Sequence, residues 1–348
     1  MSEGKDVNNQ EISWSVDGIA VHATLTLGAA NGRRAAVAFV AGSGPTDRDW
    51  DTPLLPGSNG SGRLLAEALT RQGFVTIRYD KRAAGPHGKE NAARLAGRVS
   101  LQSHVDELAG AVAALAARPE VDASRIYALT NSEGAIHALN YQRQATKHRF
   151  AGLVLTGVPG RSMADTMRSQ VVPQLQALPN GAELIRQYDA TIAAISEGRP
   201  FEIDPSLPEG LRTLFASLAS PANNPFTQEF LAVDPAELLR DVTEPVLIVI
   251  GKKDIQANWQ VDGQVLEAAL AGRDNVTFFY PENANHILKY EPKARERLLP
   301  TDVAANYNAA DRHLDPDALE TIQTWLGRQA AVDPVGNSWE EAKSARQI

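Results

Sequence analysis

Ser132 lies in the stretch "LTNSEGAIHAL", Leu129–Leu139, where a strand-like run stops and an apolar, Ala-rich run begins. A serine hydroxyl is a weak nucleophile at neutral pH. It attacks a carbonyl only when a base takes its proton and fixed donors hold the charge that develops on oxygen. The chain offers candidates for each role. His286, in "YPENANHILK", could be the base. Asp254, in "VLIVIGKKDIQ", could orient it. The loop "VAGSGPTDRDW", Val40–Trp50, could supply an oxyanion-hole N–H from Ser43, and the residue after the serine, Glu133, a second. Taken singly, each has an ordinary reading: a loop serine, a strand-end aspartate, a surface histidine, a flexible glycine loop. The six other histidines lack this context.

The elements around these residues decide what they can do together. "ISWSVDGIAVHATLTLG" alternates apolar and polar residues about a D-G turn signal, which predicts a β-hairpin. "RAAVAFV" and "FVTIRYD" read as strands, with a helix over 63–72 between them that stops at Gly73. A long amphipathic helix follows, with Ser100 or Ser103 as N-cap and Pro119 past its end. "RIYALT" reads as strand, 134–144 as helix and "FAGLVLTG" as strand. Alternation of this kind means βαβ units and a mainly parallel sheet. From 161 to 240 the chain shows helical pieces and Pro-rich joints but no strand pattern. Strands return at "EPVLIVIG" and "VTFFYP", with a final helix in "DPDALETIQTWLGRQ". The expected organisation is an α/β core over 1–160 and 241–329, a helical cap over 161–240, and a polar C-terminal tail over 330–348. Residues 1–10 read as a disordered lead-in.

Ser132, Asp254 and His286 then each fall just beyond the C-terminal end of a predicted strand, where ligand crevices form in parallel sheets. Asp254 and His286 are 32 positions apart, room for one helix and one strand. The conjunction carries far more weight than any of its parts.

Composition narrows the field further. With 348 residues and 43% hydrophobic residues, the chain can bury a large core. Lys and Arg total 34 against 42 Asp and Glu, a net charge of −8. That balance argues against binding nucleic acid, whose affinity comes from neutralising phosphates. The absence of cysteine excludes disulfides, thiolate nucleophiles and Cys-ligated metals. No HExxH or clustered metal-ligand spacing is present, so no metal and no cofactor is expected. No apolar stretch approaches a bilayer span and no signal peptide is visible, so the expectation is a cytoplasmic protein without a membrane partner. A homodimer is left open.

The order Ser132, Asp254, His286 resembles that of α/β-hydrolases. More narrowly, the chain is similar to bacterial esterase-like members with G-S-G-P-T-D-R-D after an early strand, R-Y-D-K-R-G after the next, G-H-S-E-G at the nucleophile and an N-H motif near the end. Here these are "GSGPTDRD" (Gly42–Asp49), "RYDKRAAG" (Arg78–Gly85), "TNSEG" (Thr130–Gly134) and "NANH" (Asn283–His286). The departures are Thr130 for Gly, Asn131 for His and Ala83 for Gly; none removes a reacting group. The resemblance implies an α/β-hydrolase fold, with Ser132 as nucleophile, His286 as base, Asp254 as acid, and the N–H groups of Ser43 and Glu133 as oxyanion hole.

The expected function is therefore a serine hydrolase of a carboxylic ester acting through an acyl-enzyme. Lactone, thioester or amide hydrolysis, or non-hydrolytic binding of a small molecule, are the alternatives. Gly44, Trp50, Met163 and Met167 are pocket candidates, as is Phe226, although cap-core packing is the plainer reading of the apolar ones. Asp47, Arg48 and Asp49 read as an ion-pair lattice shaping the loop, and Asp80, Lys81 and Arg82 as structural pairing.

Overall fold

The computed structural model describes residues 7–29 and 32–331. The first six residues of the expected lead-in and nearly all of the expected tail lie outside them. In chain order the elements begin with β1 (Asn8–Val16), β2 (Ile19–Leu27), β3 (Arg34–Val40), α1 (Ser61–Arg71), β4 (Val75–Tyr79), α2 (Gly88–Leu95), α3 (Leu101–Ala116), β5 (Val121–Asn131), α4 (Gly134–Gln144) and β6 (Gly152–Thr156). Five helices follow: α5 (Met163–Gln176), α6 (Gly181–Ser196), α7 (Glu209–Leu218), α8 (Phe226–Ala232) and α9 (Pro235–Arg240). The chain closes with β7 (Val246–Val249), α10 (Val261–Ala269), β8 (Val276–Phe279), α11 (Pro300–Asn306) and α12 (Pro316–Ala331).

The strands form one sheet in the order β1-β2-β4-β3-β5-β6-β7-β8. The β1–β2 and β2–β4 pairs are antiparallel and every other pair is parallel. The hairpin turns at Asp17–Gly18, both at positive φ, as a two-residue turn between twisted strands requires. Strand β1 begins at Asn8, earlier than the polar sequence suggests. The reason is a ladder of polar side chains: Thr26 donates to Asn9 at 2.7 Å and Thr24 to Glu11 at 2.5 Å. Polar residues on an edge strand can thus pair without an apolar signal.

Side chains alternate across the sheet with period two. Ala36, Ala38 and Val40 of β3 face one apolar cluster, and Val37 and Phe39 face the other. Helices α3, α4, α9 and α10 cover the first face through Leu108, Val112, Leu139, Leu239 and Leu266. Helices α1 and α12 cover the second through Leu65, Leu69, Ile322 and Leu326. Helix α3 begins at Ser100, whose hydroxyl accepts the Ser103 N–H at 3.0 Å while Ser103 Oγ accepts the Ser100 N–H in return.

Helices α5 to α8 have an apolar cluster of their own, built on Leu175, Leu184, Tyr188, Ile192 and Phe215. Ala236 and Leu239 of α9 are back in the sheet's cluster. No described helix is long and apolar enough to cross a membrane.

The chain leaves β3 toward β4 on one side and later returns to β5 on the other. Crevices open at such a reversal, outside the carboxyl ends of the strands. The loop after β3 and the turn after β5 both start there.

Candidate active site

Strand β5 ends at Asn131, and helix α4 begins three residues later at Gly134. Ser132 makes the turn at φ 52°, a left-handed conformation that costs a non-glycine residue about 1–2 kcal/mol. Neighbouring backbone holds it there. Ser132 donates its N–H to the Thr156 carbonyl at 2.8 Å and accepts the Ala135 N–H at 3.0 Å. The close approach in this turn falls on Gly134. A Cβ there would stand 2.4 Å from the Val40 oxygen and 2.8 Å from that of Ala41. Thr130, by contrast, sits in regular ladder register with Val40 and Leu155, fully buried, and its carbonyl accepts the Thr156 hydroxyl at 2.7 Å. The threonine in place of the motif's first glycine therefore fits without distorting the turn.

His286 and Asp254 are brought together from two loops. His286 Nδ1 lies 2.7 Å from Asp254 Oδ2, both side chains buried. The other carboxylate oxygen accepts the N–H groups of Gln256 at 2.7 Å and Ala257 at 3.0 Å. An ionised carboxylate only accepts, so Nδ1 carries the ring proton and Nε2 is left as the basic nitrogen. Asn131 donates to the His286 carbonyl at 2.9 Å, tying the histidine loop to the residue beside Ser132. Gly157, at φ 58°, underlies the ring. A Cβ there would be 3.0 Å from His286 Nδ1 and Cε1.

Ser43 follows β3, and its carbonyl accepts the Thr46 hydroxyl at 2.7 Å. Among the described residues, neither the Ser43 N–H nor the Glu133 N–H has a protein acceptor. The ionic residues of the loop form a lattice. Arg48 makes a forked contact to Asp80 at 2.7 and 3.0 Å and reaches Glu11 at 2.6 Å, and Arg78 bonds Asp49. Burial, with Asp51 and Asp80 nearby, pushes Asp47 up to about 6, although its bonds to backbone N–H groups oppose this. Arg82 pairs with Glu107 at 2.8 Å.

Lys81 departs from this pattern. Its ammonium donates to the Gly42 carbonyl at 2.6 Å and stands 3.5 Å from Glu133 Oε1. Glu133 Oε1 is also 3.0 Å from His137 Nε2. The His137 ring lies 4.5 Å from that of His104, whose Nδ1 meets Glu107 Oε2 at 2.9 Å. Burial alone would raise the Glu133 pKa, but Lys81 and His137 outweigh it and hold the carboxyl well below its ordinary range. Burial and the neighbouring His104 hold His137 down at about 4. His104, Glu133 and His137 bring potential ligand atoms within 4.8 Å of one another. Their carboxylate already faces one cation, the Lys81 ammonium, so this donor set fits a buried charge chain better than a metal.

Two cavities meet at Ser132. The larger, about 610 Å³, is bounded by Met163, Met167, Leu214, Leu218, Phe226 and Phe230, with Gly44, Lys81, His104 and Glu133 on its floor. The smaller, about 360 Å³, runs past Thr52, Leu54 and Leu55 to Val303 and Tyr307 at α11. Ser43, Ser132, Gln256 and His286 line both. Trp50, a pocket candidate from sequence, lines neither. Its side chain is fully buried in the core beside α1, with its ring 6.1 Å from Phe39. A large aromatic directly after a charged loop reads in sequence as pocket lining; in the fold it anchors that loop in the core. Sequence reasoning missed Gly157, Asn131, Gln256 and the inward reach of Lys81. Only Gly157, the last residue of a predicted strand, carried a visible signal.

No family model matches the chain. It is 26% identical over 317 residues to the esterase EstD of Thermotoga maritima, covering 91% of this chain and 67% of that one. A Pyrococcus furiosus esterase superposes with a TM-score of 0.55 at 15% identity, covering 93% of this chain and 91% of that one. The α/β-hydrolase GrgF of Penicillium sp. sh18 gives 0.54 at 15% identity, with 94% and 100% covered. A 2,6-dihydroxy-pseudo-oxynicotine hydrolase gives 0.51 at 14% identity, with 95% and 72% covered. With a mostly parallel eight-stranded sheet between two helical layers and a sharp turn at the end of β5, the chain has the α/β-hydrolase fold.

Proposed function

We propose that the protein is a carboxylesterase-like serine hydrolase, with Ser132 as nucleophile, His286 as general base and Asp254 as the acid that orients it. The observation that carries this reading is the conjunction at one cavity wall. A serine at positive φ and a histidine whose Nδ1 is engaged by a buried aspartate share that wall. His286 Nε2 takes the Ser132 proton as Oγ attacks the ester carbonyl. The N–H groups of Ser43 and Glu133, from the GSGPTDRD loop and the elbow, hold the tetrahedral oxyanion. The protonated ring then gives its proton to the leaving alcohol, and water releases the acyl group through the same histidine.

Within the segment 161–240, helices α5 to α8 act in this reading as a cap, because α5, α7 and α8 bound the larger cavity while α9 packs on the sheet. That chamber, walled by methionine, leucine and phenylalanine, takes the acyl chain, and the smaller one takes the alcohol. Cytoplasmic work on a small-molecule ester is part of the same proposal, resting on the cysteine-free, acidic composition. The likeness to EstD supports ester cleavage over thioester or amide cleavage.

Ser132→Ala tests the reading. Turnover of short p-nitrophenyl esters should vanish while the melting curve is kept. A fluorophosphonate should label the wild type, with loss of fluoride and formation of an Oγ–P bond, but not the variant. Unchanged turnover in Ser132→Ala would overturn the assignment.

A further inference from the structure

Lys81 is a buried ammonium that the acyl-transfer chemistry above does not use. Its two partners are peculiar. The first is the Gly42 carbonyl, at 2.6 Å. That carbonyl belongs to the same peptide group as the Ser43 N–H. The Gly42–Ser43 bond is trans, so the carbonyl and the N–H point in opposite directions. An ammonium that fixes the carbonyl fixes the direction of the N–H as well. A charge-assisted bond to the oxygen also polarises the amide and strengthens the N–H as a donor. The second partner is the carboxylate of Glu133, at 3.5 Å. Among the described residues, Glu133 carries the other N–H without a protein acceptor, and Glu133, like Ser43, lines the larger cavity. The same carboxylate oxygen, Oε1, also lies 3.0 Å from Nε2 of His137, whose ring packs on that of His104, itself bonded to Glu107.

We infer that Lys81 is a positioning residue for the oxyanion hole, orienting the Ser43 N–H through the Gly42 carbonyl and anchoring the Glu133 donor through its carboxylate. This rests on the hydrolase reading above. The competing role is purely structural: Lys81 would do no more than neutralise a buried carboxylate. The two differ in what is lost. A positioning residue acts on the oxyanion, so its removal lowers kcat and weakens a bound oxyanion while leaving ground-state binding alone. A structural residue reduces only the fraction of molecules that fold.

The test uses Lys81→Met in the full-length chain, with active sites titrated by fluorophosphonate so that kcat is expressed per reactive Ser132. The second readout is the Ki of a trifluoromethyl ketone. Ser132 Oγ adds to its carbonyl carbon, the serine proton passes to His286 and the oxyanion stays in the hole. Losing one such donor costs about 10²–10³ in kcat. The expected result is a loss of about that size per titrated site, a Ki weakened in step, and a KM within about threefold of wild type. A kcat per site and a Ki both within about threefold of wild type would overturn the inference. If Lys81→Met yields too little folded protein to titrate, Lys81→Arg carries the test, because it keeps the buried charge but displaces the donor. It should lose at least about tenfold in kcat per site with Ki in step, and wild-type values would again overturn the inference. Failure of the wild type to label at Ser132 would instead remove the hydrolase reading itself.

Discussion

In Asp254→Asn a carboxylate is replaced by an amide of nearly the same shape, and the surroundings dictate how that amide must sit. The Oδ1 position accepts two backbone N–H groups, from Gln256 and Ala257. Placing the amide NH2 there would leave both donors buried without an acceptor, at about 1–3 kcal/mol each. The amide oxygen therefore takes that place and the NH2 faces His286 Nδ1, at the 2.7 Å now spanned by the carboxylate. A donor on that side makes Nδ1 the acceptor and moves the ring proton to Nε2. Protonated at Nε2, a neutral imidazole cannot take the serine proton. The loss expected for a wrong tautomer is about 10⁴ in kcat, which is about 5 kcal/mol of barrier. KM should stay within about threefold, because no group that touches bound ester has changed. Initial rates with p-nitrophenyl butyrate, set beside a thermal melt, measure both. A loss of less than about tenfold in a folded variant would refute the reasoning, because the orientation of the amide would then not govern the base.

Two further perturbations probe the support around the site. Gly157→Ala places a methyl group 3.0 Å from the His286 ring at a backbone φ of 58°. It should destabilise by about 1–2 kcal/mol and lower kcat by about 10- to 100-fold with KM held, as urea denaturation and steady-state rates would register; a wild-type kcat would show that the ring position is not limiting. His137 bonds Glu133 and packs on the His104 ring, and burial, with His104 beside it, holds it at about 4, below its ordinary 6.5. Between those two pH values the unfolded chain binds a proton that the folded protein resists, so the contribution is complete above pH 6.5 and is lost as pH falls toward 4. The quantity to measure is the stability of the wild type minus that of His137→Gln, since the raised Asp47 has the opposite pH dependence and cancels in the difference. That difference should fall by a few kcal/mol, on the order of 3, from pH 7 to pH 4; a flat difference would contradict the burial of a neutral ring.

Most of the sheet is legible in the sequence because its strands are buried on both faces and announce themselves as short apolar runs between turn residues. The residues of the candidate site are legible for a related reason. Ser132, Asp254 and His286 are polar residues placed just where such runs stop, and their order along the chain narrows the reading. What could not be read divides into two kinds. Helix α2 turns only Gly88, Asn91 and Leu95 inward, so its one buried aliphatic gives no periodicity. Helix α11 is seven residues long and lies in a segment whose apolar residues are scattered. The second kind is direction. Asp80, Lys81 and Arg82 are three consecutive charges, and sequence treats them alike. In the fold Asp80 meets Arg48, Arg82 meets Glu107, and Lys81 alone turns toward the cavity. Alternation along an extended chain sends neighbours to opposite sides, but which side holds the site depends on contacts far away in sequence.

Thr130 departs from the motif at a position where the fold has room for a side chain. Both glycines of a strand–turn–helix elbow relieve crowding, but not the same crowding. Here β5 runs in parallel register with β3, and Thr130 pairs with Val40 as any strand residue would. The crowding lies one turn later, where α4 must start beneath the carbonyls of Val40 and Ala41 as β3 ends. That space admits no side chain, and Gly134 supplies none. Once α4 starts there, the backbone between Asn131 and Gly134 has to reverse within two residues. Ser132 is then driven into the left-handed region, with Thr156 and Ala135 bonding its N–H and carbonyl. The strained serine is thus set by the second glycine and by β6, while the first position only has to fit a strand. A threonine, β-branched and at home in a pleated sheet, meets that requirement.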